Sequence, residues 1–291
     1  MVGYDRTMDA TVKWISQLAE QTLSVAHYAS GVTAVTPTHD TGWNTLPGIA
    51  NSFISGYAAV LQRPGLPDLP IDPGQSLCVP AGQHHRVTVV GRTSGVSRWT
   101  HMSFRLLGGI DIFSYLHTPT VFTGTTARRI GKINAELCAL YMLDAPPLHC
   151  VTRRKTLAFD LLTLLIEQST VREDRAPGTE AMQRLRGVLE MISTDLSRPP
   201  DVSQMARACS LSVSRFHGTF KSVMGVSPHR YLQDLQIQRA QQLLFAGDLP
   251  VKSVAAEAGF GDVFHFSRLF HKRCGVSPVA YRARVRDRQY F

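Results

Sequence analysis

The sequence predicts an α+β protein of two domains, in which a strand-rich part with a few helices precedes an all-helical part. Three observations carry this prediction. The 291 residues exceed one ordinary small domain, alternating apolar patterns fill the first part, and a helical unit occurs twice near the end. Charge divides the chain similarly, since residues 1–180 contain 15 Lys and Arg against 14 Asp and Glu, and residues 181–291 contain 16 against 8. The second part is therefore expected to meet a polyanion.

Strands and turns dominate the first part. Residues 72–85 are typical of a turn, a buried strand and a second turn, and residues 98–104 alternate as a half-buried strand does. Two helical segments follow, with apolar residues three and four apart, as in the seam of a short coiled coil. The same spacing would also let these helices pack on the strands. The seam positions are Ile130, Ile133, Leu137, Leu140, Leu157, Leu161 and Leu164.

A polar stretch with a Pro-Gly step covers residues 171–180. Such a composition is typical of a flexible linker. We therefore expect a first domain over residues 1–170 and a second over residues 181–291.

The basic part contains a repeat. Residues 203–231 match residues 253–281 at 11 of 29 positions, where chance would give about two. In each copy a capped short helix, a tight turn and a longer helix follow one another, which is the helix-turn-helix plan. A Gly then ends the longer helix and a Ser-Pro pair begins the next. We expect the longer helices over residues 213–224 and 263–273; the expected caps are Ser203, Ser212, Ser253 and Asp262, and the expected stops are Gly225 and Gly275.

One face of each longer helix is apolar and the opposite face is polar. Small donor-bearing side chains and Arg can read base edges in a major groove, and Lys further along can reach phosphate. The alternative is an ordinary solvated surface. The helix predicted over residues 231–246 would span about 24 Å and hold the two longer helices about one turn of duplex apart. The candidate DNA-binding residues are Ser214, Arg215, His217, Gly218 and Lys221 in the first copy and Phe264, His265, Ser267, Arg268 and Lys272 in the second.

The segment from about residue 184 to residue 288 resembles the DNA-binding domain of AraC-type (AraC/XylS) transcriptional regulators. Residues 211–221, 240–244 and above all 254–278 carry the resemblance. It implies seven helices, sequence-specific binding of double-stranded promoter DNA, activation through RNA polymerase, and a homodimer formed through the second of the two helical segments.

The chain departs from the family pattern at two positions. Gln236 stands where the connecting helix of the family usually has Arg, so a buried or phosphate contact would be missing. Gly218 occupies a position where a long reading side chain is common. We therefore expect the second copy, with Arg268 and an exposed Phe264 suited to a thymine methyl, to read more of the DNA sequence than the first.

Residues 50–110 resemble the small cupin-like β-barrel at the N-terminus of the same regulators. The Pro-Gly turn at residues 73–74, the Pro-x-Gly-x-x-His turn and the Trp-x-His-x-x-Phe strand carry this resemblance, which implies a small-molecule effector inside the barrel. Aromatic and His side chains suit sugars and ring-bearing ligands, although on a barrel they are often plain core. The candidate effector-binding residues are Tyr57, Trp99, His101 and Phe104.

A cupin-type metalloenzyme domain fused to the DNA-binding domain is the main alternative, with His84, His85 and His101 as ligands. Adjacent histidines would point to opposite faces of a strand, and no Glu occurs between Glu20 and Glu136. An architectural DNA binder without sequence preference is the other alternative. The sequence contains no Gly-x-Ser-x-Gly, phosphate loop or dinucleotide fingerprint. We therefore expect neither an enzyme nor a resident metal or cofactor.

The cellular setting follows from composition. Five scattered cysteines without a Cys-x-x-Cys pair predict neither a disulfide framework nor a structural zinc site. No apolar run approaches the roughly 18 residues that cross a bilayer, and the first residues lack a secretory pattern. We expect a cytoplasmic protein with no membrane partner.

Overall fold

The computed structural model describes residues 22–106, 110–140, 147–172, 179–224 and 226–289, together with five positions between residues 12 and 20. Strands come first along the chain, as predicted. They are β1 (Ser24–Val35), β2 (Ile49–Ser55), β3 (Ala58–Arg63), β4 (Leu66–Ile71), β5 (Ser76–Val79), β6 (Arg86–Val90), β7 (Gly95–Leu106), β8 (Ile110–Asp111), β9 (Leu116–His117), β10 (Val121–Phe122) and, between two later helices, β11 (Thr170–Val171).

Two main antiparallel sheets form the strand-rich part, and a separate two-stranded ladder pairs β9 with β11. The larger has the order β1-β7-β2-β5-β10, with β8 on β7, and the smaller has the order β4-β3-β6. Isolated bridges from Asp40 to Thr88 and from Asn44 to His85 tie the loop after β1 to the smaller sheet. The inner faces of the two sheets share an apolar core. The described strands thus form two sheets around a common interior rather than one closed ladder, and the α+β class is confirmed.

Beside a short 3-10 helix over Ile112–Tyr115, nine α-helices have defined bounds among the described residues. They are α1 (Gly124–Ala139), α2 (Pro147–Glu167), α3 (Thr179–Thr194), α4 (Val202–Ala208), α5 (Val213–Met224), α6 (Pro228–Ala246), α7 (Val251–Glu257), α8 (Val263–Cys274) and α9 (Pro278–Gln289). The last seven correspond to the seven helices that the resemblance implies. Residues 173–178 of the predicted linker and Gly225 lie outside the described residues.

Helices α1 and α2 pack on the strands. All seven predicted seam positions are buried within the chain. They therefore pack inside this chain, the alternative to a coiled-coil seam. Contact with β2 is close, because a Cβ at Gly131 would lie 2.6 Å from the Phe53 ring. The face that α2 leaves exposed carries Leu148, Val151, Phe159 and Ile166 instead.

The repeat folds as two helix-turn-helix units, which we call the first unit (α3–α5) and the second unit (α7–α9). Helix α5 has the predicted bounds, and α8 extends one residue beyond its prediction. The carboxylate of Asp262 accepts the N–H groups of Phe264 and His265, and Gly275 ends α8 in the left-handed region at φ 74°. The cap at Asp262 and the stop at Gly275 are therefore confirmed.

The two short helices begin earlier than predicted. Asp201, not Ser203, caps α4, because its carboxylate accepts the N–H of Gln204 while the Gln204 side chain accepts the N–H of Asp201, a reciprocal capping box. Pro250, not Ser253, precedes α7. Its carbonyl accepts the N–H of Val254, and a proline has no N–H with which to extend the helix backward.

Helix α6 connects the two units. It starts at Ser227-Pro228 and runs for 19 residues, about 28 Å, so the predicted restart and the predicted connecting helix are one helix. The strand-rich part lies against it, since the Gln242 amide donates to the Tyr28 hydroxyl over 3.2 Å. The His84 ring also approaches Gly275, within 3.8 Å of where a Cβ would stand.

Candidate nucleic-acid interface and effector cavity

Helix α5 separates a buried face from an exposed one. Phe216 and Phe220 are fully buried, with ring centroids 5.5 Å apart. The predicted candidates on the other face are all exposed: Ser214, Arg215, His217, Gly218 and Lys221. A Cβ at Gly218 would meet no atom within 4 Å, so no packing constraint within the described protein requires a glycine there.

Helix α8 repeats this division with larger exposed side chains. Phe266 and Phe270 are buried, whereas the Phe264 side chain is 75% exposed. His265, Arg268 and Lys272 are exposed and Ser267 is half-buried. Helix α8 therefore presents one large aromatic side chain among polar and basic ones.

The electrostatics of the two faces favour an anionic ligand. Among the described residues, Arg215, Lys221, Arg268 and Lys272 form no ion pair. Arg273, at the side of α8, is held by Asp234 at 3.4 Å. The four cations are thus available to a ligand from outside the chain.

Gln236, which stands where the family usually has Arg, makes a buried contact of its own. Its side chain is 8% exposed and donates a 2.8 Å hydrogen bond to the carbonyl of Gly259. A buried contact is therefore present at this position, because the shorter amide reaches the turn before α8; the loss of a phosphate contact stays a prediction.

A cavity of about 630 Å³ lies between the two sheets. Three of the four predicted effector-binding residues, Tyr57, Trp99 and His101, line it. The Trp99 indole donates to Thr33 over 3.0 Å and stacks on the His101 ring, with centroids 4.8 Å apart. Burial raises the pKa of the Tyr57 phenol, which keeps it protonated near neutrality.

Phe104 does not line the cavity, so its assignment to the effector site is wrong. It is fully buried on the other side of the larger sheet, where it meets Phe113 edge-on with centroids 5.9 Å apart. The reason is the two-residue period of a strand. Odd-numbered positions of β7 face the cavity, and position 104 faces the helices.

Several polar cavity residues are not among the predicted effector-binding residues: Asn44, Asn51, Ser52, His85 and Ser97. Ser52 and Ser97 share a 2.6 Å hydrogen bond, and Asn51 accepts one of 2.8 Å from Asn134. Ser97 could have been found, since it shares its parity on β7 with Trp99. Asn51 and Ser52 are neighbours on β2, whereas Asn44 and His85 lie outside the named strands, so the set has no common spacing.

Charge is nearly absent from the cavity wall. None of the described lining residues is Lys or Arg. The carboxylate of Asp40 accepts a 2.9 Å hydrogen bond from Arg86, and this bond lowers the pKa of Asp40 to about 2. The wall therefore offers amides, hydroxyls, imidazoles and an aromatic face.

The three histidines of the metal alternative are not brought together. His85 lines the cavity, and its Nδ1 lies 2.9 Å from the carbonyl of Gln83. His84 instead stacks on Trp43 with centroids 5.1 Å apart, and its Nδ1 lies 2.9 Å from the Thr45 hydroxyl. Within the described ranges, no group of three or more His, Cys, Asp or Glu side chains could hold a metal ion. No described helix is long and apolar enough to span a membrane.

Comparison with known proteins finds similarity that includes the helical part. A helix-turn-helix domain model matches residues 205–284. The chain is 29% identical over 215 residues to the MmsAB operon regulatory protein of Pseudomonas aeruginosa, covering 74% of this chain and 67% of that protein. It is 32% identical over 154 residues to the HTH-type transcriptional activator RhaS of Klebsiella pneumoniae (53% of each), and 27% identical over 216 residues to the arabinose operon regulatory protein of Escherichia coli (72% of each).

The fold as a whole matches a solved structure. ToxT from Vibrio cholerae superposes with a TM-score of 0.53 at 14% identity, over 91% of this chain and 98% of that one. ToxT has also been solved bound to (E)-4-(8-methylnaphthalen-1-yl)but-3-enoic acid, and that structure matches with a TM-score of 0.50 at 13% identity, over 91% of this chain and all of the other. At such identities the likeness shows a shared fold.

Proposed function

We propose that this chain is an AraC-type DNA-binding transcriptional regulator that places α5 and α8 in successive major-groove segments of a promoter under the control of a small molecule in the cavity. The pair of exposed helix faces with available cations carries the proposal. Arg268 and Arg215 suit guanine edges, Phe264 suits a thymine methyl, and Lys221 and Lys272 suit phosphates. Base or backbone contacts are also proposed for Ser214, His217, Gly218, His265 and Ser267.

The second unit is proposed to read more sequence than the first. Position 218 corresponds to position 268 across the repeat, so α5 presents Gly where α8 presents Arg. Position 214 corresponds to position 264, so α5 presents Ser where α8 presents Phe. A glycine offers no side chain to a base, so less of the specificity should come from α5.

The test compares specific with non-specific binding. A duplex selected from random DNA by the full-length protein is titrated beside an unrelated duplex of equal length between about 50 and 200 mM salt. Arg268→Ala should lose roughly 10- to 100-fold on the selected duplex and little on the unrelated one. Arg92→Ala, which removes an exposed charge from the turn between β6 and β7, is the matched control. Equal losses on both duplexes would contradict base reading by Arg268.

The cavity is proposed to take an uncharged, ring-bearing ligand rich in hydroxyl or carbonyl groups. Asn44 offers an amide, Ser52 and Ser97 offer hydroxyls, and Trp99 offers a flat apolar face. A carboxylate ligand would find no Lys or Arg among the described lining residues. The volume falls within the range typical of small-molecule sites.

A direct path connects the cavity with the DNA-binding part. His101 faces the cavity, and Ser103, two residues along the same face of β7, shares a 2.6 Å hydrogen bond with Tyr28. Tyr28 in turn accepts from Gln242 of α6. We propose that a ligand against His101 changes how firmly the strand-rich part holds α6. Tyr28→Phe should then bind DNA but respond less to ligand.

A homodimer is proposed through the exposed face of α2. Leu148 is 74% exposed and Phe159 and Ile166 share its side of the helix. Leu148 and Ile166 lie equally far from position 157, so an antiparallel pair of α2 helices would pack each against the other. The same pairing brings the basic residues 153–155 near Asp160 of the other protomer. Phe159→Glu should lower the mass measured by light scattering if this face forms the dimer.

The remaining assignments rest on the family. We propose domains over residues 1–170 and 181–291 with a linker over residues 171–180, and a cytoplasmic location because the target is promoter DNA. We also propose that the strand-rich part binds its ligand without converting it, since the similar proteins are named as regulators. Activation through RNA polymerase is supported by the relative named as an activator.

A further inference from the structure

The two units have different cores that divide the connecting helix between them. Tyr231 and Leu235, in the first half of α6, belong to the core of the first unit. Ile237, Ala240 and Leu244, in the second half, belong to the separate core of the second unit. Gln236 lies at the division and is buried. Contacts at this point therefore decide how the second unit is oriented relative to the first.

Three segments meet at this division. Gly259, in the turn before α8, has φ +84°, and a Cβ there would lie 2.1 Å from the carbonyl oxygen of Leu196 and 2.8 Å from the Gln236 amide nitrogen. Gln236 donates to the Gly259 carbonyl over 2.8 Å. Leu196 lies in the loop after α3 and packs against the core of the first unit. The backbone of the first unit thus touches the turn of the second directly.

The corresponding position of the first unit is built differently. Ser210, which follows α4 as Gly259 follows α7, shares a left-handed φ of 53° but is exposed. The preceding residue, Cys209, points its thiol at the carbonyl of Arg184, 3.2 Å away in α3. The first turn is therefore held by a helix of its own unit. The second turn is held by α6 and by a loop of the other unit, and a side chain at position 259 would push that loop away.

We propose that Gln236 and Gly259 are positioning residues that set the angle between α5 and α8, and with it the separation of the two DNA segments that the protein reads together. This inference rests on the proposed function, in which both helices read one duplex. The Gln236 side chain is buried at the division between the units, away from the exposed faces of α5 and α8, so its loss removes no group of those faces. It loosens the connection, and the effective concentration of one helix at its segment falls once the other is bound.

The test separates the recognition of each DNA segment from the dependence of binding on the distance between the two segments. The duplex selected by the wild-type protein is compared with one in which either segment is scrambled and with one carrying an extra base pair between the segments. Wild-type protein should lose at least about tenfold on the lengthened duplex, because one base pair shifts and rotates the second segment. Gln236→Ala should lose about tenfold on the original duplex, remain within about twofold of wild type on the scrambled ones, and be less sensitive to the extra base pair.

Three further variants serve as controls for Gln236→Ala. Gln233→Ala makes the same change on α6 at a half-buried residue and should behave as wild type. Gln236→Arg can donate to the same carbonyl and should keep the sensitivity to spacing. Gly259→Ala should resemble Gln236→Ala if circular dichroism shows it folded; if it does not fold, Gln236→Ala decides.

Two contrary results have different meanings. If Gln236→Ala weakens the scrambled and original duplexes equally, or keeps the full spacing penalty, the positioning role is overturned while the proposed function stands. If wild-type protein itself is indifferent to the extra base pair, two-helix reading of one duplex is overturned, and the positioning role with it.

Discussion

The two helix-turn-helix units share a sequence plan but differ in what holds them and in what they present. The core of the first unit is continuous with that of the strand-rich part, whereas the second has a core of its own. Their exposed faces differ most where Gly218 corresponds to Arg268. The buried aromatic pairs are the same in both, Phe216 with Phe220 and Phe266 with Phe270. The repeat therefore preserves the buried phenylalanine pairs. The two units differ in the exposed faces of α5 and α8 and in the cores to which they belong.

The largest expected effect tests the difference in cores. Phe216→Ala and Phe266→Ala should each cost about 3–5 kcal/mol of unfolding free energy, because each truncates a fully buried ring. In hydrogen exchange followed by mass spectrometry, Phe266→Ala should release the amides of α7–α9 while α3–α5 stay protected. Phe216→Ala should release amides in the strand-rich part as well. Loss of protection over the same regions in both variants would mean that the cores are not separate.

The next effect tests whether α8 contributes more to DNA sequence recognition than α5. Arg268→Ala should lose about 1–3 kcal/mol of binding to the selected duplex, and His217→Ala should lose clearly less, because α5 presents fewer long side chains. The measurement is the ratio of the dissociation constants for selected and unrelated DNA. Similar ratios for the two variants would show that both units contribute equally.

A smaller effect concerns the two glycines. Gly218→Ala should stabilise the first unit by up to about 1 kcal/mol, because α5 gains a better helix former and the added methyl group meets no atom within 4 Å. Thermal unfolding checks this change. Gly259→Ala is the contrasting substitution and should destabilise the second unit, since that position has a left-handed φ and touches Leu196. A destabilised Gly218→Ala would indicate a packing role for Gly218.

The smallest effect separates the two caps by pH. Asp262 corresponds to Ser212, and the N–H groups of Phe264 and His265 hold the pKa of its carboxyl below the ordinary value of about 3.8. A lowered pKa stabilises the folded state above the unfolded value, and this contribution is lost as the pH falls through the folded pKa. The protection of the amides at the start of α8, relative to their intrinsic exchange rate at each pH, should therefore fall below pH 4, and at the start of α5 it should not. Asp262→Ser should abolish the difference between the two units.

Local patterns were sufficient for the helical part. The 50-residue repeat, the spacing of the phenylalanines and the Asp and Ser-Pro signals predicted α5, α6 and α8 to within a few residues. Caps, turns and helix faces depend on neighbours within about four positions of one another. The two short helices begin earlier than predicted because Asp201 and Pro250, which also act locally, precede them in place of Ser203 and Ser253.

Long-range pairing settled what local patterns left open. The buried leucines of α1 and α2 suited a seam or a core equally well, and only their packing on the strands distinguishes the two. The parity of β7 already assigned Phe104 and Trp99 to opposite faces, but which face bounds a cavity depends on where the smaller sheet lies. Asn44, Ser52 and His85 meet at the cavity only because the loop after β1 and the smaller sheet pack on the larger one.

Gln236 shows the same limit at a single residue. Because the family usually has Arg at this position, a glutamine there indicated that a contact was lost. In the folded chain, however, the Gln236 amide donates to the Gly259 carbonyl. Sequence therefore determined the repeated helices and the side chains that they expose, since those follow from contacts along one helix. The cavity wall, the face of α2 left uncovered and the junction between the units depended on segments up to about 200 positions apart, whose meeting follows from the packing of the whole chain.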